Sequence, residues 1–575
     1  MAISVAGIRA ENDMLCICLS APAAAQRFTV QLRVPTVCGN PAADYTPGRV
    51  LCEHGPVCEN DTLCIPRAAG EWDALFCRIT VLDAAGTALG GVCYVDEVAP
   101  QVSRNHEPID RRVLKSIGPS SRVHDLGCIV SDLEALGASQ AISGYSQPAS
   151  MVSTGEDAIE HRFAGRSFFF KRSYVETIDS YMRQLAEKGI RSVVRCHNDP
   201  FYYGKAADEA ILDIIVHPDY DYDSTSTYIS AFNLRTEEGV LHYLAWHDFF
   251  LARYAGTAGG RAFAMELGNE VNSGYIWNNA GEMDVNGAML EYTQAMRLAW
   301  LVSKQYAEHF RVCASFDYHF TACHIEDPPL RYYSMKSCLA AIAAHCRAEG
   351  DFPWGVATHP YPEYLTFPDF WNDRRPRWAM DTPIVNFKNF EVLPAYLARP
   401  ELLYRGEERH IILTEEGLNT RADCPYTGEQ SKYAYVLAYL KLRKLPTVDI
   451  FQYYPYMDNP WEFGLALGLR RFGRYTENMD QVAGEPKPVW DAILAMDSPA
   501  EEAMVAEARA YIGEQLFDYT LDPPPIAPEP EIPADGGISL AESGINNARG
   551  RAAAARRAAA AAANAAAKAE VNFST

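Results

Sequence analysis

The sequence predicts an α/β fold: a (β/α)8 TIM barrel with an N-terminal β-sandwich-like domain and a disordered or helical C-terminal tail. Three observations predict it. Eight short β-type runs alternate with amphipathic helical stretches over residues 138–515, the pattern of a parallel barrel. The first hundred residues alternate apolar and polar side chains with no long helical period. The rival α/β fold, a doubly wound sheet, announces itself by a glycine-rich phosphate turn, and the chain holds neither GxGxxG nor GxxxxGK[ST].

The elements follow in order. Residues 1–100 form the β-rich accessory domain, where RFTVQLRV (27–34) and LFCRITVLD (75–83) alternate and Ala84–Thr87 supplies a turn. Residues 101–137 read as a linker. The barrel, 138–515, has strands expected at 138–143, 191–196, 228–233, 263–269, 311–316, 354–359, 410–415 and 448–453. Helices are expected between them at 174–188, 237–254, 288–306, 334–348 and 433–443, and an extra hairpin around 167–171. A bare barrel needs about 250 residues, so this one carries loop insertions. Residues 516–547 read as a Pro/Gly-rich linker, with six prolines between 521 and 533. Residues 548–575 are an Ala-rich tail that favours helix but has almost no large apolar face to dock.

Charge and composition narrow the function. Lys+Arg 51 against Asp+Glu 74 gives 51 − 74 = −23, a field that repels phosphate backbones and anionic membrane surfaces. Nucleic acid and membrane are therefore not expected partners. No stretch approaches the roughly 20 apolar residues of a membrane span. The N-terminus lacks a cationic segment and is interrupted by Glu11 and Asp13, so a cytoplasmic protein is expected. The 15 cysteines then stay reduced. Cys52, Cys58 and Cys64 near His54 contain no close CxxC pair and read as small hydrophobes in preference to a metal site.

A barrel gathers its chemistry at the C-terminal ends of its strands. There the sequence offers Asn269 and Glu270 after strand four, His359 and Tyr361 after strand six, and Glu415 and Glu416 after strand seven. Arg195, His197 and Asn198 end strand two, and Asn233 ends strand three. Two carboxylates facing each other across a barrel mouth suit glycoside cleavage, one protonating the leaving oxygen and the other attacking or stabilising the sugar centre. Mutual repulsion favours keeping one of them protonated. Alternation along strand seven lets only one of Glu415 and Glu416 point inward. His359 reads equally as a site or a structural histidine, Asn269 has a loop-capping alternative, and Asn233 has a turn residue as its alternative. Neither HExxH nor GxSxG occurs, and no metal or cofactor is expected.

GNEVN at 268–272 and LTEEG at 413–417 resemble the two signatures of clan A (GH-A) retaining glycoside hydrolases. The separation, 415 − 270 = 145 residues, equals three βα units of about 48 residues each. HPY at 359–361 is similar to the clan's strand-six His-x-Tyr. The resemblance spans the central barrel and is nearest to uncharacterised bacterial hydrolase-like proteins. It implies Glu270 as acid/base and Glu415, in a Glu-x-Gly pattern, as nucleophile oriented by Tyr361. Asn269 would hold the sugar 2-hydroxyl, His197 and Asn198 (with Arg195) would line the glycone subsite, and Trp461 would form an aromatic platform beneath it. Asn233 and His359 complete the implied binding set. The expected activity is double displacement on a β-type glycoside or oligosaccharide through a glycosyl-enzyme. The alternatives are a non-catalytic carbohydrate-binding barrel and a transglycosidase using the same carboxylates.

Overall fold

A computed structural model describes residues 3–530 apart from 24, 41–44, 109–113, 119–125, 201–207, 225, 257–259 and 326–329. Its centre is a closed parallel barrel of eight strands: Lys115–Ile117, Gln140–Ser146, Arg191–His197, Ala262–Leu267, Arg311–Asp317, Gly355–His359, Ile411–Leu413 and Val448–Tyr453. The seam closes where Lys115, Ser116 and Ile117 pair with Phe451, Gln452 and Tyr453. Strands four, six and eight are buried along their whole length, as expected when helices cover one face and the barrel interior fills the other.

Two corrections concern the strands. The run 228–233, expected as strand three, is no barrel strand; it belongs to an insertion after the true third strand and makes only isolated bridges, Val216 with Phe232 and Ser230 with Asn279. Ile229, Ala231 and Phe232 are buried beneath this insertion, which gave the run its strand-like apolarity. The true first strand, Lys115–Ile117, lies inside the segment read as a linker, and three residues are too few to show a period. The strands expected first and second are therefore the second and third. Strands four to eight keep their numbers.

The barrel interior is built in layers. Ile142, Val193, Phe263, Ala264, Cys313, Ala357, Ile412 and Ile450 form one apolar cluster. Two residues further along the same strands stand Arg195, Glu266, Ser315, His359, Thr414 and Gln452, all buried. Because strand side chains repeat with period two, one step up the barrel exchanges an apolar plug for a polar floor beneath the mouth.

The N-terminal residues form a four-stranded and a three-stranded sheet. They pack against the barrel helices: the Cys93 and Tyr94 amides donate to the Glu349 carbonyl at 3.0 and 3.1 Å, and Gly39 N–H donates to Glu291 at 2.8 Å. The described residues up to Ala527 form one compact unit. The extra hairpin near 167–171 is present as Ala158–Phe163 paired with Arg166–Lys171. The segment read as a linker from 516 begins inside a helix, Glu514–Leu521, which the fully buried Phe517 anchors; the proline-rich composition starts only after it. The expected tail 548–575 lies outside the described residues. Among the described residues no helix is long and apolar enough to cross a membrane.

Candidate active site

Strand four ends in a sharp turn. Gly268 adopts φ 73° and Glu270 φ 40°, both in the left-handed region, which glycine enters freely and a glutamate does not. The Glu270 amide donates to Ser315 Oγ at 3.0 Å, and Val271–Ser273 continue as a short 3-10 turn. Strand seven ends at Leu413, and Thr414 to Gly417 run on as irregular chain.

Between these ends lies a continuous ion network. Arg195 donates from Nε to Glu266 Oε2 at 2.9 Å and from NH2 to the Thr414 carbonyl at 2.8 Å. Its NH1 stands 2.9 Å from Glu415 Oε2. The other Glu415 oxygen accepts from the Tyr361 hydroxyl at 3.2 Å. His359 bridges two carboxylates, Nε2 to Glu266 at 2.8 Å and Nδ1 to Glu270 at 2.9 Å. Ser315 Oγ donates to Glu266 at 2.7 Å. One ligand atom from each of Glu270, His359 and Glu415 lies within 4.8 Å of the others.

The charges have distinct environments. Burial alone would raise the Glu266 pKa, yet Arg195 and His359 hold it far below the usual carboxylate range. Burial works against charge on His359 too, but Glu415 and Glu266 keep the imidazole protonated well above its ordinary range. Burial pushes Glu270 up to about 6, with His359 opposing and Asp317 and Glu415 adding to the rise. The side chains of Glu270 and Glu415 are 16 % and 17 % exposed, so both reach the mouth while Glu266 is sealed beneath them.

The neighbouring Glu416 differs from Glu415. It is 1 % exposed, neither carboxyl oxygen has a hydrogen-bond partner among the described residues, and burial raises its pKa well above the normal range. Burial thus favours its protonated, neutral form.

The remaining predicted residues divide. Asn269 is buried, and its Oδ1 has no partner among the described residues. His197 ends strand three, and burial with Arg195 beside it lowers its pKa to about 3. Asn198 and Asn233 do not present free amides: Asn198 Nδ2 donates to the Ile215 and Ala231 carbonyls at 2.9 Å, and Asn233 Nδ2 to Ile214 at 2.7 Å. Both pin the insertion after strand three. Trp461 is 76 % exposed, on the loop after strand eight; the aromatic ring that meets the ion network is Tyr454, with the Arg195 guanidinium 5.2 Å from its centroid.

Sequence reasoning missed Glu266, Ser315 and Glu462. A charged residue inside the six-residue buried strand Ala262–Leu267 demands a buried counter-ion, and that signal was readable. Ser315 offered none. Glu462, whose pKa rises through burial and the nearby Glu415 charge, sits on a loop without a motif.

Fold and site thus define a (β/α)8 barrel with paired carboxyl groups at its mouth. The chain belongs to a family of unknown function (DUF5722), whose profile matches residues 125–519. No curated protein sequence matches it. Among solved structures it is similar to a family 39 glycoside hydrolase from Bacteroides cellulosilyticus WH2, at 13 % identity over 87 % of this chain and 83 % of that one, TM-score 0.42. It is also similar to a hyperthermophilic beta-glucosidase from Pyrococcus furiosus, at 14 % identity over 72 % and 98 %, TM-score 0.40. A third likeness is a family 1 glycoside hydrolase from Thermotoga maritima, complexed with a cyclophellitol analogue transition state mimic, at 10 % identity over 67 % and 96 %, TM-score 0.39.

Proposed function

We propose that this protein is a retaining glycoside hydrolase of the clan A type, acting on a β-linked glycoside or oligosaccharide by double displacement. The observation that carries the reading is the close approach of Glu270 and Glu415 in opposite settings, one carboxyl raised to about 6 by burial and the other held by Arg195 and Tyr361.

In the first step a Glu415 oxygen attacks the anomeric carbon, and Glu270 gives its proton to the departing glycosidic oxygen. The Tyr361 hydroxyl and the Arg195 guanidinium fix the attacking carboxylate in one orientation, so little reorganisation precedes attack. The aglycone leaves as an alcohol, and the sugar remains as an ester on Glu415. Glu270, now a carboxylate beside the His359 imidazolium, takes a proton from water as that water attacks the same carbon. Glu415 departs as carboxylate, and Glu270 is acid again. Asn269 is the residue assigned to the sugar 2-hydroxyl, where a hydrogen bond strengthens towards the transition state.

The test is a 2-deoxy-2-fluoro glycoside with a good leaving group, followed by peptide mass spectrometry. A sugar adduct on Glu415 supports the reading; hydrolysis with inversion of the anomeric centre, followed by NMR, refutes it.

A further inference from the structure

At the end of the fifth strand a second cluster of donor atoms stands apart from the ion network. One ligand atom from each of Asp317, His319 and His324 lies within 4.8 Å of the others. Asp317 and His319 are buried, and His324 is exposed.

The Asp317 carboxylate is held rigidly. Oδ1 accepts from Asn272 Nδ2 at 2.5 Å and from the His319 amide at 2.8 Å, and Oδ2 accepts from Ser273 Oγ at 2.6 Å. The His319 ring stacks on Tyr318, centroids 4.6 Å apart, and its carbonyl accepts from the Met335 amide at 2.9 Å. Its Nδ1 is buried and stands in ion-pair contact with Asp317 Oδ2 at 3.0 Å. The two atoms stand slightly closer than neighbouring ligands of one ion, so a small opening of this pair would admit one. Metal–ligand bonds of about 2.0–2.2 Å put tetrahedral ligand atoms about 3.3–3.6 Å apart. His324 meets the His319 ring edge-on, centroids 5.5 Å apart and planes at 85°, so the two imidazoles converge without stacking.

We propose that Asp317, His319 and His324 bind a divalent first-row transition-metal ion, with Zn²⁺ as its probe. Two imidazoles and one carboxylate are a donor set suited to such ions, and three protein ligands leave a position for water. The hydrogen bonds of Asn272 and Ser273 to Asp317 are the outer-shell contacts that orient a metal-binding carboxylate. The same two residues follow Glu270 by two and three positions, so an ion here would brace the turn that presents the candidate acid. The inference does not rest on the glycosidase reading.

The full chain, stripped with a chelator and titrated with Zn²⁺ against a chromogenic competitor, is expected to take up one ion per chain. His324→Ala, at an exposed position that spares the fold, should weaken binding by more than roughly 100-fold, the upper end of what losing an outer-shell partner costs. His319→Gln should do the same. The double variant Glu270→Gln, Glu415→Gln should bind zinc as the parent does, which separates this cluster from the carboxylates near His359. Absence of zinc uptake, uptake untouched by His324→Ala, or uptake lost in the Glu270/Glu415 variant overturns the proposal. If His319→Gln fails to fold, the His324→Ala result alone decides.

Discussion

Arg195 NH1 stands 2.9 Å from Glu415 Oε2, and this contact ties the end of the third barrel strand to the chain just beyond the seventh. The same guanidinium reaches Glu266 from Nε at 2.9 Å. One cation thus serves a sealed carboxylate below and a partly exposed one at the mouth.

Removing that cation leaves two acidic groups without their partner. Breaking a buried pair in this way costs about 3–5 kcal/mol. Arg195→Met should therefore lower the urea midpoint of unfolding markedly. Adding Glu266→Gln to Arg195→Met should restore part of the loss, since the charge left most deeply buried is then gone.

The two neighbouring glutamates after strand seven should behave differently. Glu415→Gln is expected to cut turnover by roughly 10⁴-fold or more, the scale seen when a nucleophile is lost. Glu416→Gln replaces a neutral acid by a neutral amide of the same shape and should change kcat/KM by less than about 10-fold. A dead Glu416 variant beside an active Glu415 variant would reverse the assignment.

In the proposed mechanism Glu270 sets the pH profile. Its pKa is raised from 4.5 to about 6, and the first step needs the protonated form, so the rate should fall as pH rises through about 6. Glu270→Gln should slow substrates with poor leaving groups by ~10²–10⁴-fold. Activated aryl glycosides need no protonation to depart, and their glycosylation step should be largely spared. The linkage sign is the same for stability: a group that binds its proton more tightly when folded stabilises fully below about 4.5 and loses that contribution through about 6. The difference is about 2 kcal/mol, so Glu270→Gln should be more stable than the parent at neutral pH in urea unfolding.

Tyr361→Phe removes one donor to a charged acceptor, an interaction of about 1.5–3 kcal/mol. The expected loss in kcat/KM is roughly 10–100-fold with the fold intact, measured on an aryl glycoside alongside a thermal melt.

Much of this arrangement was legible in the sequence, and for identifiable reasons. Strands four, five, six and eight carry enough buried residues to register as runs; the seventh, with three residues like the first, is marked by LTEEG at its end. The count of eight came out right through two offsetting errors, an insertion that buries Ile229 and Phe232 like a strand and a first strand of only three residues. Sequence patterns put Glu270, Glu415 and Tyr361 at strand ends, and the structure brings their side chains together. They could not separate an amide facing the mouth from one holding a loop, which is how Asn198 and Asn233 are spent. A polar residue such as Ser315 acquires its role only when a neighbouring strand brings Glu266 to it.

The short first strand has a practical consequence for anyone who dissects this chain. A fragment begun at residue 138, the border that composition alone suggests, would be a barrel of seven staves. Its eighth strand and Gln140–Ser146 would face solvent as open edges, inviting a second molecule to supply the missing ladder. Expression for assay should keep Lys115–Ile117 attached, and with it the sheets that lean on Glu349 and Glu291.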